Sequence, residues 1–320
     1  MAVYTHIAAD EMAEFFARYD VGEIRCAAGI AQGVENSNYL IETAIGRFIL
    51  TLYERRVAEA DLPFFMDLLD HLAARGCRVP RFIPDRTGRK LQHLRGRPAC
   101  VVQFLPGATV GEPTVDQCRS AGRALGEMHV ASADFAGRRK NRLDLSAWHV
   151  LAARCGARFD EVAPGLGWRV AGELAFLDAH WPDTLPRTVI HADLFPDNVL
   201  VQEAEVTGLI DFYFSCRDFR AYDLAVAHAA WCFDDDGGTY HASRSAALIE
   251  GYQQAIRLTR EERDAFVILC RGAALRFVLT RAYDWLNTPR DALVTAKDPL
   301  AFKRRLEFYA GTSSGELLGP

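Results

Sequence analysis

The chain has 320 residues, 50% of them hydrophobic, enough for about two lobes with real cores and incompatible with a disordered or fibrous protein. Lys and Arg total 37 against 42 Asp and Glu, and the net charge of -5 removes the strongest electrostatic case for a dedicated nucleic-acid binder, leaving small molecules as the expected partners. Eight scattered cysteines without a C-x-x-C pair read as free thiols of a reducing, cytoplasmic environment and not as a disulfide framework or metal site.

Residues 1–20 alternate polar and apolar positions and lack the unbroken apolar core of a secretion signal, so a cytoplasmic protein is expected. No run approaches the ~18 apolar residues that span a membrane. Strand-like segments follow at 24–30, 39–43 and 48–53, short and rich in Ile, Leu, Val and aromatics, separated by Gly33, Asn36 and Gly46. One helix interrupts them at 58–75, with Leu62, Phe65, Met66, Leu69 and Leu72 at three- and four-residue spacing and Gly76 as its stop. Asp85-Arg86-Thr87-Gly88 reads as a turn before a strand at 99–104. The sum is a small antiparallel sheet carrying one helix.

Leu105-Pro106-Gly107-Ala108 ends that pattern and reads as a linker, dividing the chain into 1–106 and 107–320. Beyond it, helices are expected at 114–135, 145–158, 168–180, 221–233, 243–257 and 260–286, with a β-rich insert at 188–190, 199–201 and 208–210 and a poorly ordered tail over 311–320. The fold class is therefore α+β, with an antiparallel β lobe before a larger, mainly helical one.

The chemistry gathers in the insert. Behind Val189-Ile190 comes His191-Ala192-Asp193-Leu194-Phe195-Pro196-Asp197-Asn198, and behind Leu209-Ile210 comes Asp211. A carboxylate that can accept a proton from a hydroxyl, beside an Asn and a second carboxylate able to hold Mg²⁺ on a triphosphate, is what phosphoryl transfer to an alcohol requires. Asp and Asn are also ordinary turn and cap residues, but that reading leaves their order and spacing unexplained.

His191-x-Asp193-x-x-x-x-Asn198 resembles the catalytic loop of protein-kinase-like enzymes, and Ile210-Asp211-Phe212 resembles their metal-binding segment. The small residue after His191 and the later Tyr222-Asp223-Leu224-Ala225 are more similar to the aminoglycoside phosphotransferase and choline kinase family. The resemblance implies a two-lobed protein-kinase-like fold, with a nucleotide-binding lobe at 1–106 and a catalytic and substrate-binding lobe at 107–320. It implies Asp193 as catalytic base, Asn198 and Asp211 as Mg²⁺ ligands, and His191 and Asp223 as residues that brace the loop. ATP and Mg²⁺ are the implied cofactors.

A phosphate loop belongs between the first two strands, where Gly29, Gly33, Asn36, Ser37 and Asn38 combine close backbone approach with donors, although a Gly/Asn-rich hairpin turn would read the same. Gln103 and Phe104, leading into the linker, stand where the family's hinge meets adenine. The third strand carries Thr51 where the kinase pattern places a lysine; Arg55 or Arg56 is a candidate substitute cation, and Glu59 or Asp67 a candidate helix acid.

Gly33-x-x-Asn36-Ser37-Asn38-Tyr39, the lysine-free third strand, Leu62-Pro63-Phe64-Phe65 and Phe104-Leu105-Pro106-Gly107 together resemble the bacterial branch of this family that phosphorylates homoserine. That implies transfer from ATP to the side-chain hydroxyl of L-homoserine, giving O-phospho-L-homoserine on the way to threonine. Choline, ethanolamine, methylthioribose or an aminoglycoside are alternative acceptors, and a nucleotide-binding pseudokinase is the alternative of another class. A small zwitterionic acceptor calls for a cation and an acid, for which Arg217, Arg276, Arg281 and Asp284 are candidates. The run Asp234-Asp235-Asp236 could hold a cationic acceptor or be a solvated loop, and His129 reads as a packed helix residue. The sequence leaves the oligomeric state open.

Overall fold

The computed structural model describes residues 4–30, 36–54, 57–289 and 296–319. Contacts divide the chain into two compact units, Met1–Pro106 and Gly107–Pro320.

The first unit opens on a helix, α1 (Ala9–Phe16), followed by the strands β1 (Ile24–Gly29), β2 (Asn36–Thr43) and β3 (Arg47–Tyr53). After a turn of 3-10 helix comes α2 (Leu62–Ala74), then β4 (Phe82–Ile83), β5 (Gln92–Leu94) and β6 (Arg97–Gln103). The strands form one antiparallel sheet in the order β1-β2-β3-β6-β4, with β5 added to β6. Its register sets Asn38 opposite Thr51, and Thr51 opposite Cys100. Alternation dictates that Leu50 and Leu52 share a face, and there they pack with Tyr39, Ile41, Ala99 and Val101 against Met12, Phe15 and Phe16 of α1. Thr51 and Tyr53 on the opposite face are buried as well, so β3 is covered on both sides. The helix α1 escaped the sequence reading because its apolar positions are too few to declare a period. Asn36, Ser37 and Asn38, read as loop, are the first residues of β2.

The second unit begins with β7 (Ala108–Thr109), a short strand where the sequence suggested only a linker turning helical. Helices α3 (Val115–Ala131), α4 (Leu145–Cys155), α5 (Phe159–Val162) and α6 (Leu166–His180) lead to the strands β8 (Arg187–Ile190), β9 (Val199–Gln202), β10 (Glu205–Leu209) and β11 (Cys216–Phe219). Then come α7 (Arg220–Trp231), α8 (Ala242–Ala255), α9 (Arg260–Asn287), α10 (Leu300–Ala310) and α11 (Ser314–Leu318). The strands form two antiparallel patches, β10-β9-β7 and β11-β8. The expected poorly ordered tail is instead α11, whose start is fixed by a Ser313/Glu316 capping box.

Two features hold the segment between β8 and β9 in place. Every residue of α7 from Ala221 to Trp231 is buried, and the Trp231 indole N–H donates to Leu194 O at 2.9 Å. Helices α3 and α8 approach until side chains no longer fit between them: a Cβ on Gly122 would overlap Leu248 O, and one on Gly251 would overlap Arg119 O. All eight cysteines are free thiols, six of them buried, as the spacing indicated. Among the described residues no helix is long and apolar enough to cross a membrane.

Candidate active site

The second unit assembles one network around the segment between β8 and β9. Its centre is Asp223, fully buried on α7. One carboxylate oxygen accepts the His191 N–H at 2.7 Å and faces His129 Nε2 at 2.9 Å; the other accepts the Ala192 N–H at 2.7 Å. Burial alone would raise this carboxyl, but the hydrogen bond and charge of His129, and the contacts with His191, outweigh it and hold Asp223 below the usual carboxylate range. His129 Nδ1 in turn meets the Tyr252 hydroxyl at 3.0 Å, so the close α3/α8 crossing is wired to the loop. The packed reading of His129 is correct but incomplete: a partner from a helix about a hundred residues away leaves no local signal in sequence.

Ala192 has a left-handed backbone, φ 65°. A side chain at this conformation is strained, which favours a small residue after His191. Both of its peptide groups are held by charged partners, the N–H by Asp223 and the carbonyl by Arg276 Nη1. Arg276, only 2% exposed, also lies with Nη2 3.9 Å from Asp193 Oδ1.

His191 ties this segment to the one carrying Asp211. Its Nε2 donates to Ile210 O at 2.9 Å while Nδ1 accepts the Asp193 N–H at 3.3 Å, an arrangement only the neutral ring can make. Burial lowers its pKa, with Asp223 pulling the other way. The next bond in the ladder is Ile210 N–H to Asn198 O at 3.0 Å, which ties Asn198, just before β9, to the residue that precedes Asp211. Asp211 also adopts a left-handed backbone, φ 64°. The other two described non-glycine residues of this kind, Arg95 and Glu203, lie in hairpin turns, so the strain at Ala192 and Asp211 belongs to the site. Asn198 Nδ2 donates to Asp193 O at 2.8 Å and to Asp193 Oδ2 at 3.3 Å, which leaves the amide oxygen as its group for a ligand. The Asp193 side chain is 19% exposed and so open to a small acceptor.

An amide oxygen and a carboxylate are hard donors that suit Mg²⁺, an ion that takes few protein ligands and keeps waters and phosphate oxygens. No group of three His, Cys, Asp or Glu able to hold a metal occurs among the described residues.

The remaining candidates separate. Arg281 on α9 senses the charges of Asp193 and Asp197. Arg217 is an exposed position of β11, and its neighbour Asp218 bonds Arg187 and Asn141. Asp284 is half-buried further along α9. The acidic run is engaged internally: Asp234 pairs with His241 at 2.6 Å, Asp236 accepts the Gly238 N–H, and Arg305 reaches Asp234 O at 2.7 Å.

In the first unit, Ser37 is fully buried; its hydroxyl donates to Glu54 at 2.6 Å and accepts the N–H groups of Tyr4 and Thr5. Thr51, at the lysine position, is buried and donates to Asn38 Oδ1 at 2.8 Å. Glu54, which the sequence reading passed over, joins Ser37 to Arg97 of β6 at 3.4 Å. Gly29 closes β1. The Gln103 N–H is taken by Arg81 O at 2.8 Å, and the Arg47 guanidinium covers the Phe104 ring at 4.1 Å. Glu59 pairs with His93 at 3.1 Å and Asp67 is exposed. Gly33, Arg55 and Arg56 lie outside the described residues.

Residues 27–265 match the model of a family described as the phosphotransferase enzyme family. The chain belongs to this family. Within it, the chain is 51% identical to the homoserine kinase of Zymomonas mobilis over 98% of both chains. It is 53% identical to that of Methylobacterium radiotolerans over 97% of this chain and 96% of the relative, and 49% identical to that of Xanthobacter autotrophicus over 100% and 99%. Among solved structures, a spectinomycin phosphotransferase in complex with ADP and spectinomycin superposes with TM-score 0.72 at 14% identity, covering 98% of this chain and 100% of that one. An amicoumacin kinase superposes with TM-score 0.69 at 15% identity, covering 96% and 95%. The fold is therefore the protein-kinase-like one expected of the family, with an antiparallel-sheet unit followed by a mainly helical one.

Proposed function

We propose that the chain is an ATP-dependent homoserine kinase, transferring the γ-phosphoryl group to the side-chain hydroxyl of L-homoserine to release ADP and O-phospho-L-homoserine, a step towards threonine. The carrying observation is identity of 49–53% from end to end with relatives all described as homoserine kinases. The eight free thiols fit a cytoplasmic location.

In this reading residues 1–106 bind the nucleotide, with Gly29, Gly33 and the 36–38 segment near its phosphates and Gln103 and Phe104 near its base. Ser37, whose hydroxyl is spent on Glu54, acts by fixing the start of β2. Asp193 orients the acceptor hydroxyl and takes its proton as the phosphoryl group departs from ADP, and Asn198 holds the Asp193 carboxylate in position. Mg²⁺ held by the oxygens of Asn198 and Asp211 would neutralise charge on the β- and γ-phosphates. Asp223, Arg276 and His191 keep the strained backbone at Ala192 in the conformation that presents Asp193.

ADP release is measured with ATP and a panel of homoserine, choline, ethanolamine, methylthioribose and an aminoglycoside. Homoserine is the expected acceptor, and a clear preference for another member sinks the assignment. Asp193→Ala should lower turnover by about 10³-fold or more with ATP still binding. Near-normal turnover in that variant would remove Asp193 as base, and no turnover of any acceptor by the unaltered chain would favour a nucleotide-binding pseudokinase.

A further inference from the structure

Helices α9 and α10 bring three guanidinium groups together beside the catalytic loop: Arg276 and Arg281 from α9 and Arg305 from α10. The Phe302 ring lies between two of them, with the guanidinium carbons of Arg281 and Arg305 each 4.5 Å from its centroid. Phe302 also packs on Phe277 at 4.8 Å and on Phe195, two residues past Asp193, at 5.9 Å.

These cations are satisfied almost wholly by backbone. Arg276 donates to Ala192 O, and Arg305 donates to Ala301 O at 3.0 Å, Asp234 O at 2.7 Å and Asp235 O at 3.4 Å. Arg281 donates once among the described residues, to Asp298 O at 3.1 Å. Among the described residues the only carboxylate in salt-bridge range of the three is Asp193, and it stands 3.9 Å from Arg276. The Nε atoms of all three are buried without a hydrogen-bond partner. Burying cationic charge without a neutralising carboxylate is unfavourable, and an incoming anion reverses that cost.

Only one of the three can receive it. Arg276 and Arg305 are 2% and 3% exposed and held at both terminal nitrogens. Arg281 is half-buried, has one terminal nitrogen without a hydrogen-bond partner among the described residues, and holds its guanidinium carbon 4.5 Å from the Phe302 ring centroid. Burial, then the charge of Arg305, pulls its pKa down to about 10 against the opposing pull of Asp193, Asp298 and Asp197. Homoserine carries its carboxylate three carbons from the hydroxyl that must meet Asp193, so the anion arrives on the same short molecule as the reacting oxygen.

We propose that Arg281, seated on Phe302, is the anchor for the α-carboxylate of the acceptor amino acid. The inference rests on the homoserine reading and selects Arg281 from the candidates Arg217, Arg276 and Arg281. Arg305 sets its specificity indirectly, as the like charge that keeps Arg281 in want of an anion.

The test compares L-homoserine with 3-aminopropan-1-ol, which keeps the hydroxyl and ammonium but lacks the carboxylate. Arg281→Met preserves the stem over Phe302 and removes the charge; Arg281→Lys keeps a point charge without the planar fork. Expected for Arg281→Met is a loss of about 10- to 100-fold in kcat/KM for homoserine, carried mainly by KM. The loss on 3-aminopropan-1-ol should be at least about tenfold smaller, and Arg281→Lys should fall between the unaltered enzyme and Arg281→Met. Equal losses on both acceptors, or none on homoserine, overturn the anchor; equal losses would mark a structural or phosphoryl-stabilising role. If Arg281→Met fails to fold, Arg281→Lys is judged by the same selectivity ratio. Failure of the unaltered enzyme to phosphorylate homoserine refutes the acceptor assignment and the anchor with it, whereas normal homoserine turnover with unselective variants refutes the anchor alone.

Discussion

Replacing Asp223 by asparagine changes one atom and leaves the volume of the α7 core intact, which isolates what the carboxylate does for the loop. As an aspartate it accepts from the His191 and Ala192 N–H groups and from His129, all within 2.9 Å and out of contact with water. An asparagine has only one acceptor end. Whichever way the amide turns, at least one buried N–H is left facing a donor, at a cost of about 1–3 kcal/mol. The bonds that survive lose charge assistance, about 1 kcal/mol each. The sum, about 3–5 kcal/mol, equals the usual penalty for breaking a buried ion pair. The loss should appear in urea unfolding of the full chain as an earlier transition for the unit that carries the loop. Steady-state kinetics should show a fall in kcat larger than any change in the KM for ATP, because Asp223 bonds the loop backbone at His191 and Ala192. A variant with an unshifted unfolding transition and kcat within about twofold of the parent would refute the claim that Asp223 holds Asp193 in place through the backbone.

Two fully buried histidines tie stability to pH. His228, between Tyr309 and Ser245, is pulled down to about 3 by burial, and His191 is lowered for the same first cause. Unfolded, each titrates near ~6.5, so below that pH the unfolded chain binds protons that the folded one refuses. Stability is therefore full above about pH 7 and falls as pH drops towards the folded values, by about 1.4 kcal/mol per pH unit from His228, with His191 adding in the same direction. Urea midpoints at pH 7, 6 and 5 should decline, with a shallower slope in His228→Gln; a flat profile contradicts the account. Glu262, fully buried, pairs both its oxygens with Arg220 at 2.8 Å and caps α9 through the Thr259 N–H. Glu262→Gln should cost about 3 kcal/mol in thermal melting while leaving kcat/KM for homoserine close to that of the parent. An unmoved melting midpoint would count against the pair as a structural tie.

The half of the proposed site that lies between β8 and Asp211 is legible in sequence because it is local. His191, Asp193 and Asn198 lie within eight residues, and Asp211 follows one hairpin later, so spacing alone carries the geometry. The first unit is less legible. A Gly/Asn-rich stretch fits a loop and a strand start equally well, and only the pairing of Asn36 with Tyr53 decides that β2 begins there. Long-range partners leave no local trace: nothing near Asp223 announces His129, and nothing near Ser37 announces Glu54. Five residues apart on one helix, Arg276 and Arg281 leave α9 in directions about 140° apart. The structure gives them different partners, Arg276 bonding Ala192 O and Arg281 bonding Asp298 O. The Ser313/Glu316 capping box was present in the tail, but with Gly311, Gly315 and Gly319 around it the composition reads as disorder.

The closeness of α3 and α8 depends on atoms that are missing. Gly122 and Gly126 on one helix and Gly251 on the other form a seam with no room for a methyl group, and the same seam seats His129 against Tyr252. A single added carbon at Gly251 therefore acts as a wedge, and its thrust travels through His129 and Asp223 to the loop that carries Asp193. In a saturation map of activity, this seam would score like a second active site, intolerant at positions that never touch a substrate. It also offers a mechanical handle: graded widening of one helix contact would tune turnover without altering any group that binds ATP or homoserine.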